Sequence, residues 1–156
     1  MNTEGRQAPC GFEETYREQR VALLRLAYLM CGSREVSEDV VQSVFASAHD
    51  RWDRIDNPLP YLKRAVVNVV KDEQRRRFRR DRRVATLEVP LAALPPEVDE
   101  TWALIQRLPW TQRAVVVLHY YEDLTLTEVA AVLERAPSTT RSDHRRALDK
   151  LRKAMS

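Results

Sequence analysis

Glycine is scarce in this 156-residue chain, occurring only at Gly5, Gly11 and Gly32. Loops that cradle phosphate need several glycines so that backbone N–H groups can approach the anion, which all but excludes P-loop and dinucleotide-binding proteins. Cysteine is scarcer still. Cys10 and Cys31 stand far apart, with no C-x-x-C pair and no histidine cluster beside them. Neither a zinc site nor a disulfide framework is expected, and a reducing cytoplasm is the plain reading. Cys31 lies on an apolar helical stripe, which suits a buried small hydrophobe better than a reactive thiol. Long hydrophobic runs are missing as well. Stretches such as Val115–Leu118 are far too short to cross a bilayer, and the N-terminal MNTEGRQAPCG has no apolar run of the secretory kind. A soluble, intracellular chain is expected. No paired carboxylates, nucleophile–base pair or metal-ligand spacing appears, so an enzyme is disfavoured, and no cofactor, metal or small-molecule substrate is expected.

Hydrophobic residues make up 44% of the chain and charged residues 31%, which fits a globular protein of one ordinary domain or two small ones. The formal net charge of +3 conceals a strong segregation. Between Lys71 and Arg83 eight basic residues face three acids, and between Arg135 and Lys153 seven face two, so each stretch carries +5. Between them, Val84–Glu100 holds Pro90, Pro95, Pro96 and four acids with no basic residue, the composition of a linker.

Periodicity predicts an all-helical protein. Phe12, Tyr16, Leu23, Leu24, Ala27, Tyr28 and Cys31 recur at helical spacing, and Gly32 ends that helix. A second helix opens near Ser33–Ser37 and puts Val36, Val40, Val41, Val44, Phe45 and Ala48 on one side, with Glu35, Asp39, Gln42 and Ser43 opposite. Asp50–Pro60 reads as a loop because of Pro58 and Pro60. In that loop Trp52 could stack on a base, but a core anchor is the favoured role. A third helix runs from about Tyr61 to about Arg80. After the linker come helical patterns over Val98–Leu108 and Thr111–Tyr121, and then Thr125-Leu126-Thr127-Glu128, a capping box opening a helix over Thr127–Leu133. Glu134–Ala136 is a tight break and Pro137 a suitable first residue for the last helix, where its missing N–H costs nothing. Two short helices joined by a three-residue turn, the second basic, form a helix-turn-helix pattern. The fold class expected is therefore two small helical domains joined by a flexible linker, the C-terminal one a helix-turn-helix. Phosphate neutralisation dominates nucleic-acid affinity, so the two basic stretches are expected DNA or RNA contacts.

The blocks RLAYLMCGSREVSEDVVQSVF, RWDRIDNPLPYLKRAVVNVVKDEQRRR and LPWTQRAVVVLHYYEDLTLTEVAAVL, in this order, resemble an extracytoplasmic-function (ECF) sigma factor of bacterial RNA polymerase, in the sigma-70 family. AYLMCG and AVVVLHYYEDL are closest to the actinobacterial SigE-type subfamily. The resemblance implies an N-terminal tail over residues 1–11, a region 2 domain over 12–83, an acidic linker over 84–97 and a region 4 domain over 98–156. It implies that Glu35, Asp39, Val40 and Gln42 bind the clamp helices of the polymerase's largest subunit, with a further contact at the flap. It implies that Arg54, Asn57, Tyr61, Arg64, Asn68, Lys71, Arg75, Arg76, Arg79 and Arg80 engage the minus-ten element, where a base is flipped and captured. Ser138, Thr139, Arg141, Ser142, Arg145 and Arg146 would read the minus-thirty-five element in the major groove. Core polymerase and promoter DNA are the implied partners, an anti-sigma factor is expected from the family, and no membrane is involved.

Several positions depart from the family's pattern. Glu134, Arg135 and Ala136 stand where the turn usually offers Gly, an aliphatic residue and a Ser cap. Thr140 and His144 occupy positions expected to face inward, and Asp143 stands where a basic or polar residue is common and would repel phosphate. His144 reads as a compromised core position, and His49 and His119 as isolated residues. Two other functions stay open from sequence: a helix-turn-helix regulator acting without polymerase, and a sigma-like protein with a degenerate minus-thirty-five reader.

Overall fold

The computed structural model describes residues 11–80 and 100–156, with backbone alone for residues 77–80 and 100. The N-terminal tail before Gly11, the acidic linker over 84–97 and the side chains of Arg79 and Arg80 lie outside the described residues. Helix α1 spans Phe12–Cys31, with Glu13 and Glu14 in its first turn, where carboxylates complement the helix dipole. Gly32 closes it with φ 72° and donates its N–H to the Tyr28 carbonyl at 2.8 Å. Helix α2 (Arg34–His49) starts at Ser33, whose Oγ accepts from the Val36 N–H at 3.2 Å. Such a cap contributes about 1 kcal/mol. The Cys31 thiol, buried as expected, lies 3.3 Å from the Ser37 hydroxyl.

A 3₁₀ turn at Trp52–Arg54 leads into helix α3 (Pro58–Arg80). Trp52 is the expected anchor: its ring meets Phe12 edge-on at 5.3 Å and packs against the core. Helix α3 begins three residues before the predicted start. Pro58 and Pro60 fall in its first turn, where a missing N–H removes no intrahelical bond, so two prolines that read as loop in sequence instead open the helix. Leu23, Leu26, Met30, Val41, Val44, Phe45, Leu62, Val66 and Val70 fill the space between the three helices.

The C-terminal half contains α4 (Glu100–Gln106), α5 (Trp110–Val116), a π-helical turn over Val117–Tyr121, α6 (Leu126–Leu133) and α7 (Pro137–Met155). The capping box forms as predicted. The Thr125 hydroxyl accepts from the Glu128 N–H and the Glu128 carboxylate from the Thr125 N–H, both at 3.1 Å. Helix α6 ends in a left-handed residue, Glu134 at φ 55°. The Arg135 N–H then reaches the Ala130 carbonyl at 2.9 Å, a closure that usually employs glycine. Glu134→Gly is accordingly expected to stabilise the chain by up to about 1 kcal/mol relative to Glu134→Ala, which equally lacks the exposed carboxylate that lies near Lys71, seen as a higher denaturant midpoint. A midpoint that is unchanged or lower would contradict strain at this residue.

The two helical bundles pack directly on each other. Trp102 of α4 stacks on Tyr28 of α1 with ring centroids 5.2 Å apart and planes 5° from parallel. The Gln106 amide donates to the Leu29 carbonyl at 2.6 Å, so a residue of one bundle caps the C-terminus of a helix in the other. Gly32 is favoured here for its positive φ, and a Cβ would sit 2.6 Å from Gln106 Oε1 and displace that side chain. That oxygen also accepts from the Arg113 guanidinium at 2.9 Å. Burial pulls the pKa of Arg113 below the usual arginine value.

Candidate nucleic-acid interface

Helix α2 buries Val40, Val41 and Val44 and leaves Glu35, Asp39, Gln42 and Ser43 exposed. Val40 does not belong to that surface. It is 4% exposed and packs inside the first bundle, where it supports the face from below.

The segment between α2 and α3 shapes an open depression of about 390 Å³ lined by Arg51, Arg54, Ile55, Asp56, Asn57 and Tyr61. Arg54, Asn57 and Tyr61 were legible in sequence. Asp56 lies within the same Arg54–Tyr61 loop, whereas Arg51 stands before it and joins the rim through the 3₁₀ turn at Trp52–Arg54. The rim offers guanidinium donors, a carboxylate acceptor, an amide with both, and an aromatic ring, the groups needed to hold an unstacked base. Arg64 is exposed and Asn68 half-buried farther along α3, neither of them lining the depression. Arg75 and Arg76 are exposed.

Lys71, an expected DNA contact, is engaged within the chain. Its ammonium donates to the Leu133 carbonyl at 3.4 Å and lies 3.9 Å from the Glu134 carboxylate, at the end of α6. Two turns earlier on α3, Lys63 pairs with Glu122 at 2.7 Å, just before α6. Both ends of the first helix of the helix-turn-helix are thus tied to α3.

On α7, Ser138, Thr139, Arg141, Arg145 and Arg146 are exposed and Ser142 is half-buried, so the expected reading face is open. Two expectations about the opposite face are corrected. Asp143 does not point at phosphates: it is 5% exposed and turns inward beside fully buried Thr140 and Ala147. His144 is not a core residue. It is half-buried at the surface, with Nε2 2.9 Å from the Tyr120 hydroxyl and its ring 5.2 Å from that of His119. Burial first, and the nearby His119 second, push its pKa below the ordinary histidine value. Neither histidine is therefore isolated, and His119 also bonds through Nδ1 to the Leu124 carbonyl at 2.7 Å. The π turn, invisible to a helical-period reading, brings His119 and Tyr120 to this place. Among the described residues no group of three metal-ligating side chains occurs, and no helix is long and apolar enough to cross a membrane.

An all-helical chain with an exposed acidic-polar helix face, a basic helix beside an open depression and a helix-turn-helix with an open arginine face has the charge distribution and motif of a nucleic-acid-binding protein. Residues 15–81 match the family Sigma-70 region 2, and residues 99–151 match Sigma-70, region 4. The chain is similar to the RNA polymerase sigma-E factor of Streptomyces coelicolor, 31% identical over 92% of this chain and 85% of that one. It is also 31% identical to the ECF RNA polymerase sigma factor SigM of Mycobacterium tuberculosis, over 90% of this chain and 74% of the relative. It belongs to the ECF group of the sigma-70 family. In fold it resembles the sigma factor RpoE solved with the anti-sigma factor NepR from Bartonella quintana. That likeness has a TM-score of 0.69 at 21% identity and covers 92% of this chain and 96% of the other. CnrH, solved with the cytosolic domain of CnrY, gives a TM-score of 0.61 at 23% identity, covering 92% and 86%.

Proposed function

We propose that this chain binds core RNA polymerase, directs it to bipartite promoters and assists melting of the minus-ten region, as a binding subunit without turnover of its own. The observation that carries this reading is the presence in one family member of three separate exposed surfaces with distinct chemistry. The face of Glu35, Asp39 and Gln42 suits a basic partner surface on polymerase. The depression of Arg54, Asn57 and Tyr61 suits a flipped minus-ten base, with Arg51 and Asp56 added to its rim and Arg64, Asn68, Arg75 and Arg76 following the strand. The face of Ser138, Thr139, Arg141, Ser142, Arg145 and Arg146 suits the major groove of the minus-thirty-five element. The proposed units are residues 12–83 and 98–156, acting in the cytoplasm where polymerase works. Lys71 becomes available to DNA only when α3 and α6 part. An anti-sigma partner is supported by the anti-sigma factor NepR with which RpoE was solved.

Run-off transcription from a genomic promoter library with purified core enzyme tests the reading. Promoter-dependent initiation is expected only when the chain is added, and none anywhere in the library would refute it. Tight, specific binding to duplex DNA by the chain without polymerase would instead favour a free-standing helix-turn-helix regulator.

The exposed arginines supply a quantitative check. Replacing Arg75 and Arg76 by Gln removes two phosphate contacts, so the slope of log affinity of the reconstituted holoenzyme against log salt should become shallower by roughly 1.4 for single-stranded contacts. An unchanged slope would place these arginines away from the backbone.

A further inference from the structure

The turn between α6 and α7 carries an ion pair whose two halves both depart from the family's usual residues. Asp143 is almost wholly buried, and its Oδ2 lies 3.6 Å from the guanidinium of Arg135. That oxygen has no hydrogen-bond partner among the described residues, so Arg135 is what compensates the buried charge. A carboxylate taken out of water is tolerated only beside such a partner, and the pair therefore constrains how far residue 135 can stand from the second turn of α7.

The same Arg135 closes the preceding helix. Its backbone N–H donates to the Ala130 carbonyl at 2.9 Å, so its main chain belongs to the end of α6 while its side chain grips α7. Helix α7 otherwise begins weakly, because Ala136 at its N-cap has no side chain able to accept from the free N–H groups. Thr140 adds only a local bond, from its hydroxyl to the Ala136 carbonyl at 3.2 Å. Arg135 thus ties the two helices of the helix-turn-helix together at the turn, beside the packing of Val129, Leu133 and Ala147 in the core. The relation between those helices decides where Arg141, Ser142 and Arg145 project, and hydrogen-bond readout of base edges fails when the donors are misplaced by much more than half an ångström.

We infer that Arg135 and Asp143 are positioning residues for minus-thirty-five recognition: their ion pair, buried at its Asp143 end, takes over the work of the missing turn glycine and helix cap and helps set the register of the reading face. This rests on the assignment of α7 as the promoter-reading helix. It also reverses the meaning of Asp143, from an acid that weakens DNA binding to one that enables specific binding without touching DNA.

The test uses full-length chain reconstituted with core polymerase. Initiation is measured on a promoter the parent recognises and on copies altered singly at the minus-thirty-five or the minus-ten element. The parent should discriminate roughly tenfold against a minus-thirty-five change. Asp143→Asn, which keeps the shape and removes the charge, and Arg135→Gln should cut that ratio to about twofold, leaving discrimination at minus-ten and affinity for core enzyme unchanged. Arg135→Lys, which keeps the charge, should restore most of the ratio. Parent-like discrimination in Asp143→Asn and Arg135→Gln overturns the inference, as does an Arg135→Lys variant no better than Arg135→Gln. Loss of both ratios together, or loss of helical circular dichroism, would mark a purely structural pair and also overturn it. If the parent itself ignores minus-thirty-five changes while obeying minus-ten changes, the assignment of α7 fails and the inference falls with it.

Discussion

Trp102→Ala is expected to destabilise the chain by about 3–5 kcal/mol, the usual cost of truncating a fully buried tryptophan. Trp102 is 2% exposed, and its ring lies flat on Tyr28. The alanine variant removes apolar contact area, the stacking and the filling of the space between α1 and α4 together. For a chain of this length the loss corresponds to a melting temperature lower by roughly 10 °C or more. The effect should also be architectural. Trp102 and Tyr28 belong to different bundles, and Gln106, one turn farther along α4, caps α1 at Leu29, so the cavity opens in the seam that joins them. Solution scattering should report a larger radius of gyration for the variant before it unfolds. Trp102→Phe keeps an aromatic ring over Tyr28 and should recover much of the stability. A change under 1 kcal/mol in Trp102→Ala, measured by chemical denaturation, would show that the seam carries little of the fold.

That seam was not legible in the sequence, and the reason is general. A period of 3.6 residues reveals which side of a helix is apolar, and so α1 was found from Phe12 to Cys31 to the residue. It does not reveal which other helix covers that side. The bond from Gln106 to Leu29 joins residues 77 positions apart, and no local pattern encodes it. Local chemistry fared better. The Thr125–Glu128 capping box and Pro137 at the first turn of α7 are signals whose cause and effect lie within four residues, and both formed as read.

The candidate site divides along the same line. Glu35, Asp39 and Gln42 are exposed because they lie opposite the valines of α2, which is a property of one helix. Asp143 was misread because its partner sits in the turn, and His144 because the π turn moves His119 and Tyr120 against it. Lys71 shows a third limit, because its partner within the chain is not written in its own helix. A lysine in a basic run reads as a phosphate contact, whereas here it meets the carbonyl end of α6, which carries partial negative charge of its own.

Asp39→Arg is expected to weaken binding to core RNA polymerase about tenfold or more while leaving the fold intact. The side chain is exposed at the middle of the outer face of α2, between Glu35 and Gln42, and no ion pair or hydrogen bond within the described chain holds it. Surface substitutions of this kind change stability by no more than about 0.5 kcal/mol, so the melting temperature should stay close to the parent's. Binding responds differently. An acidic-polar face implies a basic surface on the partner, and reversing one charge replaces an attraction with a like-charge contact; ten-fold in affinity corresponds to about 1.4 kcal/mol. Val40 supplies the matching control from beneath. Val40→Ala should lower stability by about 1 kcal/mol or more through the core it packs in, and change polymerase affinity little in the fraction that remains folded. Fluorescence anisotropy of labelled chain titrated with core enzyme, at low and high salt, separates the two effects. The deficit of Asp39→Arg should shrink as salt rises, because exposed charges are screened beyond the Debye length, whereas that of a core lesion should not. Equal affinity of Asp39→Arg and parent at low salt would remove α2 from the polymerase-binding surface.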